Sequence, residues 1–127
     1  MAGGELVEAL LGEAVRLREL RLTARGRRSG RPRTVTIWFV ADGDALGVGA
    51  LREDRNWIRN ALAHPEVEVE VGGRRLRGRL RRSSPAEHAR IRARMARKYL
   101  PLRLARLVGA GQRFTFRIED LRASPAC

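Results

Sequence analysis

The segment from Glu66 to Arg82, "EVEVEVGGRRLRGRLRR", alternates valine, leucine or glycine with charge on either side of two adjacent glycines. Period-two alternation places successive side chains on opposite faces of a strand. Adjacent glycines supply the positive φ that a two-residue hairpin turn demands. With the turn at Gly72-Gly73, Glu70 faces Arg75, Glu68 faces Arg77 and Glu66 faces Arg79. Val69 and Val67 then meet Leu76 and Gly78 on the other face. The spacing predicts an antiparallel hairpin with one dry face and three cross-strand ion pairs on the wet one. Each pair is worth little in energy, but together they give three arginines a purely structural use.

The same alternation recurs elsewhere. Leu20, Leu22 and Ala24 interleave with Arg21, Thr23 and Arg25, and Phe114, Phe116 and Ile118 with Arg113, Thr115 and Arg117. Between them, "TVTIWFVADGDALGVGA" holds two strands around Asp42-Gly43, a hairpin signal. A turn there pairs Phe39 with Leu46, Ile37 with Val48 and Val35 with Ala50. On the opposite face it sets Trp38 beside Gly47 and Thr36 beside Gly49, which leaves room for something flat against the sheet.

Helical spacing marks Glu5 to Val15, then Trp57, Ile58, Ala61 and Leu62 behind a candidate cap at Asp54, and a helix opened by Ser84-Pro85-Ala86-Glu87. His88, Ile91, Met95 and Tyr99 share one side of the last, with another turn or two over Leu102 to Val108. Several short strands joined by hairpins, with few helices, predict a mainly β (α+β) architecture. We expect one six-stranded antiparallel barrel with two to three flanking helices. It would be a single domain over residues 1–127, with an N-terminal helix in 1–18 and a short tail over 120–127.

The 127 residues carry a net charge of +13, and every basic residue except Lys98 is arginine. Such a field favours anionic partners without choosing among nucleic acid, lipid and phosphorylated cofactor. One cysteine, Cys127, excludes an internal disulfide and suits a reducing cytoplasm. Two histidines, His64 and His88, without clustered cysteines, speak against a metal site, and both suit structural roles. No signal-peptide pattern or membrane-spanning apolar run is seen. No nucleophile elbow, zinc-protease helix or phosphate-binding P-loop appears, so we assign no catalytic side chain. Any redox chemistry would come from a bound cofactor.

The best site candidate is the arginine-rich stretch Gly26 to Arg33, "GRRSGRPR". Glycines let it bend, and guanidinium forks suit phosphate and carboxylate oxygens. A solvated basic turn explains the composition equally well.

Gly26 to Arg33 (Gly-Arg-x-Ser-Gly-x-Pro-Arg), followed by an apolar strand, an Asp-Gly turn and Trp-x-x-Asn-x-x-x-x-Pro at Trp57 to Pro65, resembles the deazaflavin-dependent oxidoreductases. This nitroreductase-like family is related to the flavin-binding split β-barrel (pyridoxamine 5'-phosphate oxidase-like) proteins. The resemblance covers Leu22 to Gly73 and implies a split barrel that binds coenzyme F420, or, as in sister groups, FMN or haem. It implies that Arg27, Arg28 and Arg33, with Ser29 in the same motif, hold the cofactor's phosphate and acidic tail. Thr36, Trp38, Ala50 and Arg52 would line the ring, and Trp57 and Asn60 would close the site. It also implies a homodimer passing hydride to a small, apolar acceptor. The rival from another class is a nucleic-acid binder that stacks bases on Trp38 and Phe39. Glu66, Glu68 and Glu70 and the lack of a recognition helix argue against it.

Overall fold

The computed structural model of the protein describes residues 19–98 and 113–124. The predicted helix over Glu5 to Val15, the turn over Leu102 to Val108, Tyr99 and Cys127 lie outside them.

Six antiparallel strands close a barrel in the order β1-β2-β3-β6-β5-β4. They are β1 (Glu19–Arg25), β2 (Pro32–Asp42), β3 (Ala45–Ala50), β4 (Glu66–Val71), β5 (Arg74–Arg82) and β6 (Phe114–Ala123). Inward positions supply Leu20, Leu22, Phe39, Leu46, Val69 and Phe116 to one core. Helix α1 (Asn56–Ala63) adds Ile58 and Ala61 to that core. Helix α2 (Pro85–Lys98) lies outside the barrel, where Ile91 and Met95 pack with Val40 and Trp38 in a second cluster.

The β4–β5 register is the predicted one, from Glu66 opposite Arg79 to Glu70 opposite Arg75. Of the three predicted ion pairs, one forms. Arg75 pairs with Glu70 at 3.5 Å, but Glu66 is taken by Arg122 of β6 and Glu68 bonds the Ser124 hydroxyl. Arg77 and Arg79 have no ion pair among the described residues. Closing the barrel brings β1 and β6 beside the hairpin, so the carboxylates are shared among four strands.

The β2–β3 turn is Gly43-Asp44, not Asp42-Gly43. Asp42 pairs with Ala45 and Phe39 with Val48, a two-residue slip that preserves both faces. Pairing ends at Phe39 and Val48; upstream β2 keeps β1 alone, and beyond Val48 β3 keeps β6. Val35, Thr36, Ile37 and Trp38 therefore lack the β3 partners expected of them, and the β2–β3 ladder is confined to the turn end of the two strands.

The slip has an electrostatic cause. Asp42 is 1% exposed, and its carboxylate accepts hydrogen bonds from Arg90 (2.5 and 2.9 Å), Arg94 (3.0 Å) and Arg117 (2.9 Å). Arg117 also meets Glu119, and Arg81 clamps both Glu87 and Glu119. A turn position would expose Asp42 and break this lattice, which fastens α2 to β2, β5 and β6.

Three smaller corrections follow from local geometry. Asp54 does not cap α1; it pairs with Arg52 through two hydrogen bonds (3.1 and 2.7 Å), and the N-cap Arg55 has no side-chain bond. The predicted capping box of α2 forms, with Ser84 N–H donating to Glu87 Oε1 at 2.8 Å and Glu87 N–H to Ser84 Oγ at 3.3 Å. Strand β6 continues through Ala123, so residues 120–123 are not tail. It does so over a bulge at Asp120, whose φ is +55°, opposite Gly78. His88 has the structural role expected, its Nδ1 lying 2.8 Å from Thr115 Oγ1.

The outer face beside Gly47 is not open. A β-carbon there would lie 2.8 Å from Ile91 Cγ1 and 3.0 Å from Cγ2. Helix α2 fills the space that Gly47 suggests for a ligand, and Trp38 packs at its margin. Gly47→Ala is thus expected to cost about 1–2 kcal/mol by overpacking and to leave anion affinity unchanged. Thermal melts beside titrations check this; unchanged stability with weakened binding would restore the ligand slot.

Candidate anion-binding site

Between β1 and β2 the arginine-rich loop folds back on itself. Gly26 N–H donates to Arg31 O at 2.8 Å, Gly30 N–H to Gly26 O at 2.9 Å, and Arg31 N–H to Ser29 Oγ at 3.2 Å. Gly30 sits at φ +72°, where a side chain would be strained. A β-carbon on Gly26 would lie 2.8 Å from Ser29 Oγ. Below the loop, the hydroxyls of Thr23 and Thr34 meet across β1 and β2 at 2.7 Å.

Helix α1 fixes the loop from the side. Asn60, buried at 4% exposure, accepts on Oδ1 from the Arg27 N–H at 3.1 Å and from Arg27 Nη1 at 2.8 Å. Trp57 meets the core ring of Phe116 edge-on, with centroids 6.2 Å apart. A cavity of about 450 Å³ opens between loop and helix, lined by Arg27, Arg28, Ser29 and Arg33 from the loop and by Asn56, Trp57 and Asn60 from α1. Gly26, Thr34 and Val35 complete the lining.

The electrostatics are one-sided. Among the described residues, no carboxylate pairs with Arg25, Arg27, Arg28, Arg31 or Arg33. Desolvation, then repulsion from Arg59 and Arg28, lowers the Arg27 guanidinium pKa from its ordinary value. The first turn of α1 reaches the cavity without an acidic residue or a side-chain cap; the Ile58 and Arg59 N–H groups donate to Arg55 O, and those of Asn56 and Trp57 add to the positive field. Clustered guanidinium groups without described counter-ions, beside a cavity, have the chemistry that phosphate and carboxylate oxygens bind.

Six of the ten residues implicated from the sequence therefore meet: Arg27, Arg28, Ser29, Arg33, Trp57 and Asn60. The other four do not line this cavity. Thr36 is exposed on β2 opposite Arg21. Trp38 packs in the α2 cluster. Ala50 is half-buried against the main core. Arg52 is occupied by Asp54, which raises its pKa, in a separate depression shared with Arg55 and Asn56. The sequence reading missed Thr34, Val35 and Asn56. The first two directly follow the loop and the third opens α1, so adjacency was the available signal.

Residues 3–105 match the family of F420H(2)-dependent quinone reductases. The chain belongs to that family. An F420H(2)-dependent quinone reductase of Mycobacterium tuberculosis is 33% identical over 60 residues, covering 44% of this chain. The chain spans 40% of the length of the curated relatives it matches. Among solved structures, an F420-H2 dependent reductase superposes with a TM-score of 0.64 at 22% identity, covering 80% of this chain and 93% of that one. A haem-binding protein from Mycobacterium smegmatis superposes at 0.65 with 15% identity, over 89% of this chain and 50% of that one. These neighbours establish the split-barrel fold of this quinone reductase family member.

Proposed function

We propose that the protein is an oxidoreductase that binds the deazaflavin coenzyme F420 and passes hydride to a quinone-class acceptor. The observation that carries this reading is the folded loop, whose Arg27, Arg28 and Arg33 face a cavity without a described carboxylate partner. The donor set fits the group: guanidinium forks, a hydroxyl and helix N–H groups suit phosphate and carboxylate oxygens. The lining offers no imidazole or thiolate to a haem iron among the described residues. When bound, the reduced deazaflavin supplies a hydride, which with one proton takes a quinone to its hydroquinone.

The chain's own contribution is binding and orientation. Arg28 and Arg33 engage the anionic part of the cofactor, and Ser29 holds the loop's bend. Trp57 forms an apolar wall anchored in the core. Among the described residues, arginine is the only titratable side chain lining the cavity, so no protein general acid or base is assigned. The same reading carries a homodimer, as in the split-barrel proteins that the sequence resembles, in the reducing cytoplasm that a lone cysteine suits; sedimentation tests the dimer. No helix among the described residues is long and apolar enough to cross a membrane.

Titration of the purified protein with oxidised and reduced F420, beside FMN, tests the assignment. Tighter binding of F420, and its quinone-dependent oxidation, are the expected results. Tighter binding of FMN would overturn the cofactor. Salt-sensitive DNA or RNA binding that exceeds either at physiological salt would overturn the enzyme reading altogether.

A further inference from the structure

We propose that Asn60 is a positioning residue, which holds Arg27 in place for an anion while leaving its charge uncancelled. The identity of the anion rests on the reading above; the role of Asn60 does not.

Asn60 occupies the interior of α1, where asparagine is a weak helix former, and it is almost wholly buried. Its Oδ1 takes two donors from one residue, the main-chain N–H and Nη1 of Arg27. One contact fixes the loop backbone and the other fixes the guanidinium. Two donors on Oδ1 also settle which end of the amide is oxygen. Nδ2 is not among the buried polar atoms left without a partner, at a residue that lines the cavity.

The chemistry of the acceptor is the telling point. Elsewhere this chain fixes arginines with carboxylates: Arg90, Arg94 and Arg117 on Asp42, and Arg81 on Glu87 and Glu119. Aspartate at position 60 would accept the same two hydrogen bonds more strongly, but it would neutralise Arg27. The amide fixes the side chain and leaves its full positive charge. Like-charge repulsion from Arg59 and Arg28 then stays unrelieved until an anion arrives. Preorganising a cation in this way spares a ligand the cost of ordering it.

The experiment uses the full chain with inorganic pyrophosphate and with F420 as separate probes. Asn60→Asp is expected to keep the melting temperature within a few degrees of wild type and to weaken pyrophosphate binding at least tenfold. Asn60→Ala is expected to lower both the melting temperature and the affinity. In an Arg27→Ala background, Asn60→Ala should cost clearly less affinity than it does with Arg27 present, because only the contact to the loop backbone is left to lose. A merely structural asparagine would move only the melting temperature. Wild-type affinity in Asn60→Asp, or an equal loss from Asn60→Ala with and without Arg27, overturns the proposal. If Asn60→Ala does not fold, Asn60→Asp decides alone.

The two probes separate the failures. Pyrophosphate binding that follows this pattern without F420 binding removes the cofactor and keeps the role of Asn60. F420 binding indifferent to residue 60 does the reverse. Binding of neither anion by the wild type overturns both.

Discussion

Replacing Asp42 by alanine is expected to destabilise the protein by about 3 kcal/mol, the lower end for breaking a buried ion pair from one side. That lowers the melting temperature by roughly 10 °C for a chain of this size. The lower end applies because Arg90 and Arg94 are partly exposed and can turn to water once Asp42 is gone, whereas Arg117 is 15% exposed and cannot. The same change removes one of the ties between α2 and the barrel, so the second cluster around Ile91 and Met95 loosens with it. A thermal melt checks this, and a shift under 3 °C would mean that the arginines are held by other means.

The pH dependence follows from the same lattice. The Arg90 hydrogen bond, backed by Arg117, outweighs burial and holds the Asp42 carboxyl below its usual range. Arg81 lowers Glu87 far below its ordinary value, with the Ser84 N–H adding to the effect. Arg81 also lowers Glu119, with Arg117 contributing. A carboxylate whose folded pKa is depressed contributes stability that is complete above its unfolded pKa, near 4. That contribution is lost as pH falls through the folded value. Stability should therefore hold down to about pH 4 and decline below it, with a shallower decline in Asp42→Ala.

The second large effect concerns binding. Arg28→Ala combined with Arg33→Ala is expected to weaken F420 affinity at least tenfold, since a hydrogen bond to a charged group is worth about 1.5–3 kcal/mol. Both side chains are exposed and have no described ion pair, so stability should stay within about 0.5 kcal/mol. Raising the ionic strength should weaken wild-type binding more than that of the double variant. Isothermal titration at two salt concentrations reads all of this. An unchanged dissociation constant would remove the anchor role from these two arginines.

What sequence could and could not show divides along a physical line. Alternation identified the strands, because the side-chain period of a strand is a local property. The two glycines at positions 72 and 73 set the β4–β5 register for the same reason: a tight turn leaves no other choice. The capping box of α2 was equally local. At Asp42-Gly43 the local signal was outvoted, because Asp42 finds three arginines from α2 and β6 that lie between 48 and 75 residues away in sequence. A slip of two residues keeps every side chain on its face, so alternation could not detect it.

The site divides in the same way. By itself the sequence determined that a glycine-punctuated arginine loop leads into a strand, and that a Trp-x-x-Asn helix follows. Whether the loop was a solvated turn or a cradle was undetermined, because a loop's partners are set by closure of the chain and not by its neighbours. Only the tertiary structure orders the loop: α1 packs on the barrel core and brings Asn60 onto Arg27 across 33 residues, beside a cavity. The same closure laid α2 over Gly47. It thereby removed Trp38 from the cavity and left Arg27, Arg28 and Arg33 to define it.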